Sequence, residues 1–185
     1  IFTTKPAVSR YSDPVVDIDG NIYQTVKIGN QIWMSENLRT TRYRNGDLIG
    51  TTLPANKDIN GEATPKYQWT CNGNESYAKT YGRLYTWYAV VDERFIAPEG
   101  WHVASHEEWN EMENYLIANG HNYDCTVIGE NIAKSLAVTT GWNSTSGLSN
   151  GSGAIYDDLS KNNSSGFSAV PGGMRFLNNF ANFGI

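Results

Sequence analysis

The stretch from Ile22 to Asn37, IYQTVKIGNQIWMSEN, restricts the fold more than any other part of the chain. Ile22, Gln24, Val26 and Ile28 fall on one face and Tyr23, Thr25 and Lys27 on the other, as a half-buried strand requires. Gly29-Asn30 follows at once. Glycine reaches positive φ freely and asparagine tolerates it, so this pair turns the chain back in a hairpin. Gln31 to Asn37 then returns as the second strand.

Upstream, residues 1–15 (IFTTKPAVSRYSDPV) have no periodicity and two prolines, the pattern of an extended arm or linker. Downstream, residues 40–80 are polar and turn-rich, an irregular excursion with one short strand at Lys66 to Thr70. From Tyr81 to Val91, Leu84, Trp87 (or Tyr88) and Val91 recur at helical spacing, and Pro98-Glu99-Gly100 marks a turn beyond. The clearest helix start is Ser105-His106-Glu107-Glu108, a capping box in which the Ser105 hydroxyl accepts an orphan backbone N–H and Glu108 reaches back. Trp109, Met112 and Leu116 then form one stripe, and Gly120 ends the helix. A shorter helix is predicted over Ile128 to Ala137, with Ile128, Ile132 and Leu136 aligned. Residues 139–165 are almost wholly Gly, Ser, Asn, Thr and Asp, and a long irregular segment inside a domain is usually functional or disordered. Gly166 to Val170 alternates as a core strand, Pro171-Gly172-Gly173 breaks it, and Met174-Arg175-Phe176 opens another.

Composition sets the class. The 185 residues fit one domain, or one with a short arm. Aromatic content of 12% and 18 glycines suit a loop-rich domain with strands, not a helix bundle. A net charge of -5 with no basic run argues against a nucleic-acid partner, which needs a basic stripe to meet phosphates. No stretch approaches the roughly 18 apolar residues that span a bilayer. The residues before Tyr11 lack a signal-peptide pattern, so either the chain is intracellular or its export signal has been removed; few charges and abundant Asn, Thr and Tyr favour export. Cys71 and Cys125 have no zinc-type spacing and, in an exported protein, could either pair or stay as free thiols. The N-x-[ST] triplets at Asn74, Asn143, Asn162 and Asn163 read as loop composition.

The residues offer little for catalysis. Asp17, Asp19 and Asn21 are weak calcium candidates, but Ile28 stands where an EF-hand loop needs its glutamate, and a polar turn opening the hairpin explains them as well. His102, His106 and His121 are scattered, and no HExxH, GxSxG or P-loop string exists. Glu107/Glu111 and Asp157/Asp158 could be put forward for glycoside hydrolysis, though nothing in the sequence sets their separation.

Five ordered motifs carry a resemblance. Asp17-x-Asp19-Gly20-Asn21-x-Tyr23-x-x-Val26-x-Ile28-Gly29-x-Gln31-x-Trp33-Met34-x-Glu36-Asn37-Leu38-Arg39 comes first. Tyr81-Gly82-Arg83-Leu84-Tyr85-x-Trp87, Gly100-Trp101-His102-Val103, Glu108-Trp109, and Gly166-Phe167-Ser168 with Gly172-Gly173-x-Arg175 follow. Over about residues 15–176 the chain resembles the Fibrobacter succinogenes major paralogous domain of Bacteroidetes-type bacteria. The resemblance implies an α+β, C-type-lectin-like fold: a small mixed or antiparallel sheet, two main helices and long irregular loops, with Trp33, Trp87, Trp101 and Trp109 in the core. It implies a domain over residues 16–185 lacking its last strands, since members continue past the Gly-Gly-x-Arg strand. Phe95-Ile96-Ala97-Pro98 stands where members often have a cysteine.

In lectin-like folds the long segment after the second helix forms the ligand face. Mapped here it covers about residues 138–165, with Trp142, Asn143, Tyr156 and Asp157 as candidate ligand-binding residues, Trp142 and Tyr156 being equally suited to fold back and pin the loop against the core. The calcium-binding triplets of sugar-binding lectins are missing, Trp142-Asn143-Ser144 being a partial echo, so no cofactor is expected beyond a weak case for calcium. The implied function is non-catalytic recognition of a glycan or an outer-membrane or surface protein, with lipid anchoring open. The alternatives are a structural accessory subunit of a surface complex and, further off, an enzyme of the formylglycine-generating-like fold.

Overall fold

The computed structural model describes residues 2–4, 14–143 and 153–183. In chain order these form β1 (Phe2–Thr4), β2 (Val15–Val16), β3 (Ile22–Tyr23), β4 (Thr25–Ile28), β5 (Gln31–Met34), β6 (Gln68–Thr70), α1 (Ala78–Tyr81), β7 (Arg83–Tyr85), α2 (Trp87–Val90), β8 (Trp101–Val103), α3 (His106–Ala118), α4 (Ala133–Leu136), β9 (Gly172–Phe176) and β10 (Asn179–Phe183). The named strands pair antiparallel, in one four-stranded sheet of order β4-β5-β1-β8 and three two-stranded ribbons, β2-β3, β6-β7 and β9-β10. Small antiparallel sheets with a few short helices make the class α+β.

The predicted hairpin forms. β4 and β5 pair from Thr25↔Met34 to Ile28↔Gln31. Of the two turn residues only Gly29 has positive φ, +61°, the pattern of a type II′ turn. β5 is covered on both faces. Trp33 lies in a cluster with Ile28, Met112, Leu116, Ile132 and Phe167, whereas Met34, on the opposite side of the pleat, joins Tyr23, Leu38, Tyr43, Ile49 and Ala89. The hairpin thus divides two hydrophobic cores. The alternating run does not continue back through Ile22. The Gln24 N–H is taken by the Glu36 carboxylate at 2.8 Å, and β3 pairs instead with β2, which leaves Ile22 exposed and Tyr23 wholly buried.

Of the predicted arm, Phe2–Thr4 is a strand inside the sheet, between β5 and β8. Residues 5–13 lie outside the described residues.

Two predicted helices are corrected. In Tyr81–Val91 only the ends are helical. Gly82 closes α1, the Arg83 N–H donates to the Leu38 carbonyl at 2.9 Å, and the Arg83 guanidinium reaches the Arg39 carbonyl at 3.1 Å and Gln68 Oε1 at 2.7 Å. These long-range bonds draw Arg83–Tyr85 out as a strand against β6, with Leu84 opposite Trp69. Trp87, expected in the core, stands exposed on the single turn of α2. In Ile128–Ala137 only α4 is helical, and Ile128 is exposed. The buried Asn122 amide holds the preceding chain as a loop, donating to the carbonyls of Thr126 (3.0 Å) and Ile128 (3.1 Å) and accepting from the Asn131 N–H at 2.9 Å.

The Ser105 capping box and the Met112/Leu116 stripe are as expected, and Trp109 packs against Trp33 with ring centroids 4.9 Å apart. Phe167 is buried, but Gly166–Val170 is no regular strand. Ser168 sits at φ +62°, held by the Asn163 side chain, and a single parallel bridge, Ala137↔Ala169, links the segment to α4. Cys71 is buried, Cys125 is exposed, and both are free thiols.

Candidate functional site

The predicted ligand face hangs from α4. Ala133–Leu136 brings Lys134 inward until it is 4% exposed, and its ammonium donates to the carbonyls of Ala154 (3.1 Å), Asp157 and Asp158 (3.3 Å). Burial pushes the Lys134 pKa down, opposed by the nearby Asp157 and Asp158 charges. Three carbonyls thus replace the water a lysine normally keeps. The Asn163 N–H donates to the Lys134 carbonyl at 2.9 Å and the Ser165 hydroxyl to the Ser135 carbonyl at 2.6 Å, so this stretch wraps the helical turn. Asn162 closes the loop: its Nδ2 donates to Val138 at 3.1 Å and to Ile155 at 3.0 Å, tying the outgoing chain to the returning one.

This clamp places the four candidate residues on two stretches with a common stem. Asn143 and Asp157 are exposed, while Trp142 and Tyr156 are half-buried. Residues 144–152 of the predicted face lie outside the described residues. Two polar atoms at the stem are buried without a hydrogen-bond partner among the described residues: the Trp142 indole N–H and Asn162 Oδ1. One is a donor and the other an acceptor. Buried polar atoms are nearly always satisfied, and these two share their condition with the Tyr43 and Thr70 hydroxyls elsewhere among the described residues.

The weak calcium candidates are engaged otherwise. Asp17 Oδ1 accepts from the backbone N–H groups of Asp19 and Asn21, each at 2.9 Å; Oδ2 accepts from Asn21 Nδ2 at 2.8 Å and the Tyr23 hydroxyl at 2.5 Å. The Asp19 carboxylate holds Thr41 and pairs with Arg42 at 3.3 Å. These bonds shape the turn between β2 and β3 and tether residues 40–42 to it. Burial, with the Asp17 hydrogen bond, pushes the Tyr23 hydroxyl well above its ordinary pKa, so it stays a donor. Among the described residues no three His, Cys, Asp or Glu side chains come together to hold a metal.

The histidines are engaged separately. His102 Nε2 lies 2.8 and 2.9 Å from the Glu108 carboxylate oxygens, and the same carboxylate accepts the Ser105 N–H at 2.8 Å to close the capping box. His121 Nδ1 meets the Ser164 hydroxyl at 3.0 Å, and His106 is exposed on the first turn of α3.

Sequence reasoning missed one feature. An open, mostly apolar groove of about 370 Å³ runs between α2 and β8, lined by Trp87, Val91, Phe95, Ala97, His102 and Val103 among others. Trp87 and Val91 sit at helical spacing with Leu84, which argued for a buried stripe. The break at Gly82 removes that stripe and turns both residues outward.

Among the described residues no helix is long and apolar enough to cross a membrane. The family model of the Fibrobacter succinogenes major domain matches residues 26–184. No curated protein and no solved structure matches the chain.

Proposed function

The chain belongs to the Fibrobacter succinogenes major domain family, a bacterial family, and we propose that it is a non-catalytic, C-type-lectin-like recognition module of the cell surface that binds a glycan. The ligand meets the loop face formed by Trp142, Asn143, Tyr156 and Asp157. The observation that carries this reading is the pairing along the chain of exposed Asn143 and Asp157 with the half-buried rings of Trp142 and Tyr156, to which the Trp142 N–H and Asn162 Oδ1, without partners among the described residues, add unused polar capacity. A hydroxyl group both donates and accepts, and sugars present hydroxyls densely. Half-buried aromatic rings complement this by stacking on the apolar faces of sugar rings. The Lys134 and Asn162 clamps favour binding because they order the loop stem beforehand, which lowers the entropic cost of association. No bond is made or broken in this function, and His102 and Glu108 serve the helix cap.

A glycan array probed with the purified domain tests the proposal, with Trp142→Ala and Asn143→Ala run beside the parent chain. The expected result is a restricted set of glycans bound by the parent. Affinity falls about tenfold or more in Trp142→Ala while circular dichroism stays unchanged. A blank array, together with co-purification of the native protein with an envelope complex, replaces the glycan reading by that of an accessory subunit.

A further inference from the structure

The geometry points to a second, independent binding site: the groove between α2 and β8 receives an extended peptide strand of a partner protein, apolar at alternate positions and flanked by basic residues. β8 lies at the edge of the four-stranded sheet, with β1 on its one paired side. In an antiparallel ladder the N–H and C=O of a residue leave the strand on the same side, and successive residues alternate sides. The Trp101 N–H is taken by the Pro98 carbonyl at 3.0 Å, and the Trp101 carbonyl accepts from Arg44 at 3.1 Å. The Trp101 N–H and C=O therefore point away from β1, those of His102 point toward it, and those of Val103 point to the edge that no other strand pairs among the described residues. An edge of this kind is a template for one more strand.

The side chains beside that edge suit such a visitor. Trp87 is 70% exposed, Phe95 55%, Val91 51% and Val103 38%, and these four line one groove. A cluster of large apolar groups in solvent, lying along an open strand edge, has the composition of a side-chain pocket for β-addition.

Charge selects the occupant. Glu93, Glu99 and Glu107 stand exposed within a few residues of the lining positions. Arg94 is neutralised by Asp92 and Asp47, while Arg44 keeps its charge, its N–H groups taken by the carbonyls of Ala97, Pro98 and Trp101 and its guanidinium over the Phe95 ring, so the three carboxylates outnumber one cation. A second copy of this chain would bring the same carboxylates against themselves, whereas Lys or Arg at the ends of the incoming strand meets them favourably.

The test uses a display library of short peptides, alternately apolar and polar, with lysine at both ends, and a matched library with glutamate at both ends. Binders from the lysine library are expected to lose roughly tenfold to a hundredfold in affinity against Trp87→Ala, a substitution at an exposed position that leaves the far-ultraviolet spectrum unchanged. The same peptides N-methylated at alternate residues keep their side chains but lose their strand hydrogen bonds, and they are expected to bind far more weakly. Exchange of the Val103 amide is expected to slow in the complex. Equal selection from both libraries overturns the proposal, as does binding indifferent to Trp87 or to N-methylation, or no binding at all. Concentration-dependent dimerisation abolished by Trp87→Ala overturns it too, by making the occupant a second copy. Trp142→Ala leaves all these readouts unchanged, so this site and the loop face succeed or fail separately.

Discussion

At Gly82 the backbone takes φ +71°, and a Cβ placed there would lie 2.5 Å from Asn37 Cβ and 2.8 Å from the Leu38 carbonyl oxygen. Around that contact Asn37 Nδ2 donates to the Tyr81 carbonyl at 2.9 Å and the Arg83 N–H to the Leu38 carbonyl at 2.9 Å. Two motifs far apart in sequence, Asn37-Leu38-Arg39 and Tyr81-Gly82-Arg83, are thus joined through a residue with no side chain. Gly100 makes a control, since it has φ +80° but nothing within 4 Å of its virtual Cβ. Gly100→Ala suffers only the left-handed backbone, about 1 kcal/mol. Gly82→Ala suffers a backbone that almost only glycine adopts, φ +71° with ψ -152°, and a clash with main chain, about 2–4 kcal/mol. Urea denaturation of the two variants checks this, and equal losses would show that the close approach at Asn37–Leu38 contributes nothing.

Among the elements, α4 is held less by its own helical turn than by what Lys134 does beneath it. Lys134→Met keeps most of the buried stem but withdraws three donors, leaving the carbonyls of Ala154, Asp157 and Asp158 to find water. The expected loss is about 1–3 kcal/mol, with faster amide exchange confined to residues 154–165 while α3 keeps its protection. Uniform loss of protection would mean that the loop and the core unfold together. The same contrast between local and distant partners explains which elements could be read from sequence. α3 was legible because its cap, its stripe and its terminating glycine lie within one short stretch, and the β4-β5 turn because Gly29-Asn30 dictates it locally. Tyr81–Val91 misled because Leu84 and Trp87 sit at helical spacing while the decisive bonds go to Leu38, Arg39 and Gln68. Ile128–Ala137 misled because Asn122, outside the window, fixes the loop. For the site, composition marked Trp142 and Tyr156 as loop aromatics. The orphan atoms at their stem, like the exposure of Trp87, exist only once distant segments meet.

For the whole molecule, the long excursion after β5 must be fastened to a body whose strands are short, and one ionic cluster does much of that. The Asp92 carboxylate, its side chain 2% exposed, pairs with Arg94 at 2.8 Å and Lys66 at 2.7 Å. Arg94 continues to Asp47 at 3.0 Å and lies 3.9 Å over the Tyr43 ring. Residues around 43–47, 66 and 92–94 are thereby locked together. The hydrogen bonds from Arg94, with those from Lys66, hold the Asp92 pKa well below the usual carboxylate range against a burial effect that would raise it. A carboxylate whose pKa is lower folded than unfolded stabilises the fold fully above its unfolded pKa, and that contribution is lost as pH falls toward the folded value. The stabilisation should therefore be complete at neutral pH and decline from about pH 4 downward. Other carboxylates titrate in the same window, so the useful quantity is the difference from Asp92→Asn, which cannot ionise. That variant is expected to be less stable by about 1–3 kcal/mol at neutral pH, and the gap should narrow steadily as the solution is acidified. Urea midpoints for both proteins from about pH 7 to pH 2.5 measure the gap directly. Parallel curves across that range would mean that the cluster is a surface ornament and that the excursion is fastened elsewhere.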